Sequence, residues 1–101
     1  MNQVMLIGKL VMIGDYFLKV SVADKTKGNQ IIPIEATETM MRLVQENGHI
    51  DSVIGVKGSI EFDNEIKIKA EKITFLSWNQ GAYYIIIYID KWKRSDIKWL
   101  R

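Results

Sequence analysis

TETMMRLVQEN, residues 37–47, decides the fold, because here the sequence changes from a period of two to a helical period. Thr37 or Thr39 is a candidate N-cap, since a threonine hydroxyl can accept from the first-turn amides, and Gly48 is a candidate C-terminal stop. The sequence therefore predicts one short helix with strands on either side of it. The apolar residues at helical spacing are Met40, Met41, Leu43 and Val44.

Alternating apolar and polar residues on both sides of this segment predict β-strands. In the segment 17–23 the even-numbered residues are all apolar and are expected to face the core, which leaves Phe17 and Lys19 on the outer face. The polar segment 24–30, DKTKGNQ, is predicted to be a loop, and Asp63-Asn64 a tight turn. The predicted strands cover residues 4–11, 17–23, 31–36, 52–62, 65–75 and 83–89.

Five short, bent strands with a helix between the third and the fourth are typical of a five-stranded Greek-key barrel, the OB-fold. We therefore predict an all-β chain with one short helix. Residues 1–79 would form the OB-fold domain, and residues 80–101 an extra C-terminal strand and a basic-aromatic tail. The longest apolar run, AYYIIIYI at 82–89, is much shorter than the roughly 20 residues of a membrane-spanning helix, so no membrane association is expected.

Composition and charge narrow the class of protein further. A chain of 101 residues is long enough for one domain with a single core. The absence of cysteine excludes disulfides and is compatible with a reducing compartment, and we expect a cytoplasmic protein. Residues 1–81 carry nine Lys and Arg against ten Asp and Glu, whereas residues 82–101 carry five against two. The positive balance of the chain therefore lies at its C-terminal end.

Four segments of the sequence resemble the bacterial single-strand DNA-binding protein (SSB) family. They are NQVMLIGKL at 2–10, Ile32-Pro33 in the third strand, VIGVKGSI at 53–60 and EKITFL at 71–76. They occur in the family's order, and the likeness extends over residues 2–77. The resemblance implies an OB-fold, single-stranded DNA binding in replication and repair, base stacking on aromatic side chains, and a homo-oligomer.

The sequence also departs from the pattern of that family. Ile31 and Thr37 stand where the family has aromatic residues, and the long aromatic hairpin after the fourth strand is reduced to Asp63-Asn64. The acidic C-terminal tail that recruits partners in the family is absent, and a basic-aromatic tail stands in its place. Recruitment of repair and replication partners in the manner of the family is therefore not expected.

Single-stranded nucleic acid is bound by cations that follow the backbone and by flat side chains on which bases stack. Residues of both types lie on the outer face of the second strand, in the loop after it, near the turn at 63–64, on the fifth strand and in the tail. The candidate nucleic-acid-binding residues are Tyr16, Phe17, Lys19, Lys25, Lys27, Phe62, Lys67, Lys69, Trp92, Lys93 and Arg94.

Each of these candidates has a structural alternative. Phe17 would pack in the core if the strand register slipped by one residue. Phe62 shares its parity with Ile60, so core packing is its favoured interpretation and base stacking the alternative. Lys67 and Lys69 can equally be a solvated strand face. The aromatic residues of the tail can pack against the barrel or against a neighbouring subunit, because a run such as YYIIIYI would otherwise be an unprotected edge.

The sequence gives no indication of catalysis. His49 is the only histidine, and it follows Gly48 in a predicted loop. A metal site needs several ligands and a nucleophile needs a positioned base. We therefore expect no catalytic residues, no metal, no cofactor and no enzymatic activity.

Two functions from different classes remain. The first is a sequence-tolerant single-stranded DNA-binding protein that acts by base stacking and phosphate contacts, with RNA as a lesser possibility. The second is an SSB-like protein-interaction or oligomerisation module with little affinity for nucleic acid. The first strand and the run 82–89 are the two candidate interfaces of a homo-oligomer.

Overall fold

The computed structural model describes residues 2–91 and 98–99. Its elements confirm a mostly β chain with one short helix between the third and fourth strands. They are β1 (Gln3–Ile13), β2 (Phe17–Asp24), β3 (Gly28–Glu35), α1 (Glu38–Asn47), β4 (Val53–Asp63), β5 (Glu65–Asn79), β6 (Ala82–Asp90) and β7 (Lys98–Trp99). Within the described part of the chain, no helix is long and apolar enough to cross a membrane.

The strands form one sheet that curls into a barrel. Its order is β3-β2-β1-β4-β5-β6-β7, and these neighbours are antiparallel. A parallel pairing of β3 with β5, at Ile34↔Ile68 and Glu35↔Lys69, closes the barrel of the first five strands. This is the predicted OB-fold.

The first strand changes partner along its length, which lets the barrel close. Residues Gln3 to Lys9 pair with β4, whereas β2 joins only from Lys9 onward. A register shift between Leu10 and Met12 bends the strand at its far end.

The helix covers one end of the core, as its sequence predicts. Thr37 is the N-cap, because its Oγ1 accepts from the Met40 backbone N–H at 3.2 Å, and the alternative Thr39 is wrong. The Gly48 N–H donates to the Val44 carbonyl at 2.7 Å and ends the helix. Met40, Met41 and Val44 are buried with the inward-facing residues of the barrel, among them Leu18, Ile34 and Ile68.

Two predicted boundaries are wrong, and in both cases hydrogen bonding explains the difference. The loop predicted at 24–30 is only a tight turn, because the Asp24 carboxylate caps it and Gly28 to Gln30 pair with β2. The fifth strand continues to Asn79 instead of ending at Phe75, because its last residues form a hairpin with β6.

Candidate nucleic-acid interface

The closure of the barrel brings two predicted site residues, Phe17 and Lys69, into one row with Glu35 between them. Phe17 lies opposite Glu35 on the β2–β3 ladder, and Glu35 lies opposite Lys69 on the β3–β5 ladder. The adjacent row, Leu18, Ile34 and Ile68, is buried in the core. Because successive residues of a strand point to opposite faces, the first row is on the outside of the barrel. Phe17 is therefore outside, as the alternation predicts, and the core alternative for this residue is wrong.

Two adjoining depressions of about 360 and 350 Å³ lie along this row and share Tyr16 and Glu35. Together they are called the seam groove below, because they follow the β3–β5 closure. The first depression contains Phe17, Lys19, Glu65 and Lys67, and the second contains Lys69 and Lys91. Five of the predicted site residues thus meet in one groove: Tyr16, Phe17, Lys19, Lys67 and Lys69.

The aromatic part of the seam groove is held by a tight turn. The Gly14 N–H donates to the Phe17 carbonyl at 2.8 Å, and the Gln45 side-chain amide donates to the Gly14 carbonyl at 3.0 Å. The turn between β1 and β2 is therefore tied to helix α1. Tyr16, in this turn, is 72% exposed, and Phe17 is 37% exposed. Both rings are accessible enough for a base to stack on them.

The cationic part of the seam groove is largely compensated by carboxylates. Lys67 Nζ lies 3.8 Å from Glu35 Oε1 and 3.9 Å from Glu61 Oε1, and Lys69 Nζ lies 3.5 Å from Glu61 Oε2. The interpretation of Lys67 and Lys69 as a merely solvated face is therefore incomplete, since both are in one ion-pair network. A phosphate that binds these lysines has to compete with the two glutamates.

Phe62 is not in the core, so the favoured sequence interpretation of this residue is wrong. Its parity is right, because it shares a face with Ile60, which packs against the core. However, the β4–β5 hairpin extends past the end of the barrel, and Phe62 and its partner Ile66 are 73% and 53% exposed. Phe62 therefore lies on the hairpin face opposite the Glu61–Lys67 pair.

The remaining predicted site residues do not join the groove. Lys25 and Lys27 lie in the turn between β2 and β3, beyond Asp24. Asp24 is seven residues along β2 from Phe17, or about 23 Å at the usual strand rise. Trp92, Lys93 and Arg94 lie outside the described residues.

Sequence reasoning missed the carboxylates of this network and Lys91, which lines the groove beside Tyr16. The Glu61–Lys67 pair follows from a hairpin register centred on Asn64, which has a left-handed φ of 67°. A two-residue turn at 63–64 does not give this register, so the pairing was not accessible from the sequence alone.

A second surface of interest is the outer side of β1, β4, β5 and β6, called the apolar face below. Met5 and Ile7 of β1 are 74% and 50% exposed, and Ile85 of β6 is 39% exposed. Gly55 lies between them and leaves an apolar depression of about 350 Å³. Beside it, Trp78 and Tyr83 form an edge-to-face pair with ring centroids 4.8 Å apart.

His49 and the acidic residues do not combine into a metal site within the described part of the chain. His49 is exposed after the helix, where its backbone N–H donates to Ser52 Oγ at 3.0 Å and its Nδ1 lies 3.0 Å from the Ile50 carbonyl.

No protein-family model matches the sequence, and a search of the curated proteins finds no match. Among solved structures, the fold is similar to that of the N-terminal domain of PriB protein from Thermoanaerobacter tencongensis, which is described as dimeric. The TM-score is 0.61 and the sequence identity 16%, over 76% of this chain and 98% of the PriB domain. This likeness concerns the fold. It agrees with the OB-fold that the sequence predicts and does not show membership of the bacterial SSB family.

Proposed function

We propose that this chain binds single-stranded DNA in the seam groove, without sequence specificity and without catalysis. The observation that carries the proposal is the convergence of two accessible rings, Tyr16 and Phe17, with Lys19, Lys67 and Lys69 in one groove of an OB barrel. OB-folds bind oligonucleotides on the face of strands 2 and 3, and Phe17 and Lys19 belong to the second strand.

The mechanism follows from the two kinds of side chain. Bases stack on the rings of Tyr16 and Phe17, and each stacked base contributes about 1–3 kcal/mol. Stacking is tolerant of sequence, because every base has a flat face. The lysines neutralise phosphates, and each phosphate contact makes log K fall by about 0.7 per tenfold increase in salt. Binding keeps the DNA strand unpaired. We propose that this is the function of the chain in cytoplasmic DNA replication and repair, as an SSB-like protein.

A homodimer is part of the proposal. Gln3 to Gly8 pair with β4 on one side only, since β2 joins β1 from Lys9 onward. This edge of β1 adjoins the apolar face with its exposed Met5 and Ile7. An edge that is both apolar and unpaired among the described strands favours association with another strand. The dimeric state of the PriB domain is consistent with this arrangement.

A second candidate function is a protein-interaction module that has little affinity for nucleic acid. Its support is electrostatic. Four lysines and three glutamates lie in or beside the groove, so it carries only a small positive charge. They are Lys19, Lys67, Lys69 and Lys91, and Glu35, Glu61 and Glu65. Affinity for phosphates falls with that charge.

The deciding experiment is fluorescence anisotropy of a labelled oligo-dT titrated with the full chain at low and at moderate salt. Unlabelled duplex DNA and an RNA of the same sequence serve as competitors. Binding that weakens with salt and that duplex displaces poorly would support the proposal. Equal displacement by RNA would extend it to both nucleic acids. No binding at low salt would leave the protein-interaction module as the function.

A further inference from the structure

Among the described residues of the ion-pair network at Lys67 and Lys69, Glu61 is the glutamate that contacts both lysines. Its Oε1 lies 3.9 Å from Lys67 Nζ and its Oε2 lies 3.5 Å from Lys69 Nζ. The side chain is 39% exposed, so it is partly held by its surroundings while it remains open to solvent.

The strand register fixes this arrangement. Glu61 lies directly opposite Lys67 on the β4–β5 ladder, and Lys69 is two residues further along the same strand and on the same face. The hairpin therefore places the carboxylate between the two ammonium groups, and rotation of either lysine side chain alone leaves the other ion pair in place.

An exposed ion pair of this kind contributes little to the stability of the fold, because water screens it. Its effect on an incoming phosphate is larger. A lysine that already faces a carboxylate attracts a phosphate less, and when the phosphate displaces the carboxylate, the released carboxylate takes up a cation from solution. The net release of counterions on binding is then smaller.

We propose that Glu61 limits the affinity of the seam groove for single-stranded DNA by holding Lys67 and Lys69 in ion pairs. This inference rests on the proposed function. Glu61 acts through the two lysines, so it is a positioning residue and is not itself a contact of the DNA. Its presence lowers the affinity of the groove for phosphates, because the DNA has to displace the carboxylate from the two lysines.

The test is Glu61→Gln in the full chain, which removes the charge and keeps the shape of the side chain. Glu46→Gln is the matched control. It removes the same charge from an exposed position of helix α1 that does not line the seam groove, and among the described residues Glu46 has no ion-pair partner within 4 Å. The measurement is the anisotropy titration of labelled oligo-dT over a series of salt concentrations.

We expect Glu61→Gln to bind about 3- to 10-fold more tightly at low salt, with log K falling more steeply by about 0.7 for each lysine that gains a phosphate. Glu46→Gln should change the affinity less than twofold. In a chain that also carries Lys67→Ala and Lys69→Ala, Glu61→Gln should have no effect.

The other outcomes separate this inference from the proposed function. If the natural chain binds and Glu61→Gln binds equally well, or Glu46→Gln has the same effect as Glu61→Gln, the role of Glu61 is wrong and the proposed function stands. If Glu61→Gln binds where the natural chain does not, the inference is supported. If neither binds at low salt, both are wrong.

Discussion

The α-carbon of Gly58 in β4 packs directly against the backbone carbonyl of Lys69 in β5, and a Cβ at this position would overlap that carbonyl. The register of the two strands shifts here, between Lys57 and Gly58, so the glycine lies at a bulge of the β4–β5 ladder. Because the obstacle is backbone, Gly58→Ala is expected to destabilise the chain by about 1–3 kcal/mol in the free energy of unfolding.

Chemical denaturation followed by circular dichroism measures this change. Ser59→Ala is the control, since it places the same side chain at the next position of the same strand and should cost less than Gly58→Ala. Equal loss of stability in the two variants would show that the close approach at Gly58 is not what the barrel requires.

Much of the fold could be predicted because local signals agreed with the tertiary structure. The change of period at 37–47 located the helix and its Thr37 cap, and the even-numbered residues of 17–23 identified the core face of β2. The strand ends predicted at 24–30 and at 75–79 are wrong for a different reason. They depend on pairing with a neighbouring strand, and the polar residues there are compatible with either a loop or a strand end.

Tyr16 is expected to be a principal stacking residue, since it is 72% exposed in a turn that Gln45 anchors to the helix. Tyr16→Ala should weaken binding of oligo-dT by about 5- to 150-fold, the range that corresponds to the loss of one stacked base. The slope of log K against log salt should not change, because no phosphate contact is lost. Tyr84→Ala is the control, since Tyr84 is also an exposed tyrosine, 53% exposed, but lies on β6. An equal loss in both variants would mean that the seam groove is not the stacking site.

The candidate site was only partly accessible from the sequence. Phe17 and Lys19 were placed on the outer face by periodicity, which is a local property. Phe17 and Lys19 come close to Lys67 and Lys69 only because β3 pairs with β5, and this pairing joins residues more than thirty positions apart in the sequence. The prediction that Phe62 packs in the core is wrong, because parity gives the face of a residue but not the point where a hairpin extends past the barrel.

The turn between β2 and β3 should make stability depend on pH. Asp24 Oδ1 accepts from the Thr26 backbone N–H at 2.8 Å, from the Thr26 hydroxyl at 2.9 Å and from the Lys27 N–H at 3.2 Å. The Thr26 backbone hydrogen bond, followed by that hydroxyl and the Lys27 N–H, holds the pKa of Asp24 below its ordinary value of 3.8. A lowered pKa in the folded state means that the ionised carboxylate stabilises the fold above pH 3.8, and that this contribution is lost as the pH falls through the folded-state pKa.

Asp24→Ala should therefore have a lower melting temperature than the natural chain at pH 7, and the difference should shrink as the pH is lowered below 3.8. Thermal denaturation at a series of pH values measures it. Asp15→Ala is the control, because the Asp15 carboxylate has no hydrogen-bond partner among the described residues. A difference for Asp24→Ala that does not depend on pH would show that the carboxylate charge is not what stabilises the turn.

Met5 is the most exposed apolar residue of the apolar face, and its strand is paired on one side only from Gln3 to Gly8 among the described strands. If two copies associate there, Met5→Glu should place a charge in the interface and shift the chain toward the monomer. Sedimentation equilibrium over a range of concentrations measures the shift. Ile31→Glu is the control, because Ile31 is 54% exposed but lies on β3, which is not one of the strands of the apolar face. A dimer that withstands Met5→Glu, or one that Ile31→Glu disrupts as strongly, would rule out this face as the interface. Retention of oligo-dT binding by monomeric Met5→Glu would further show that each seam groove works without its partner.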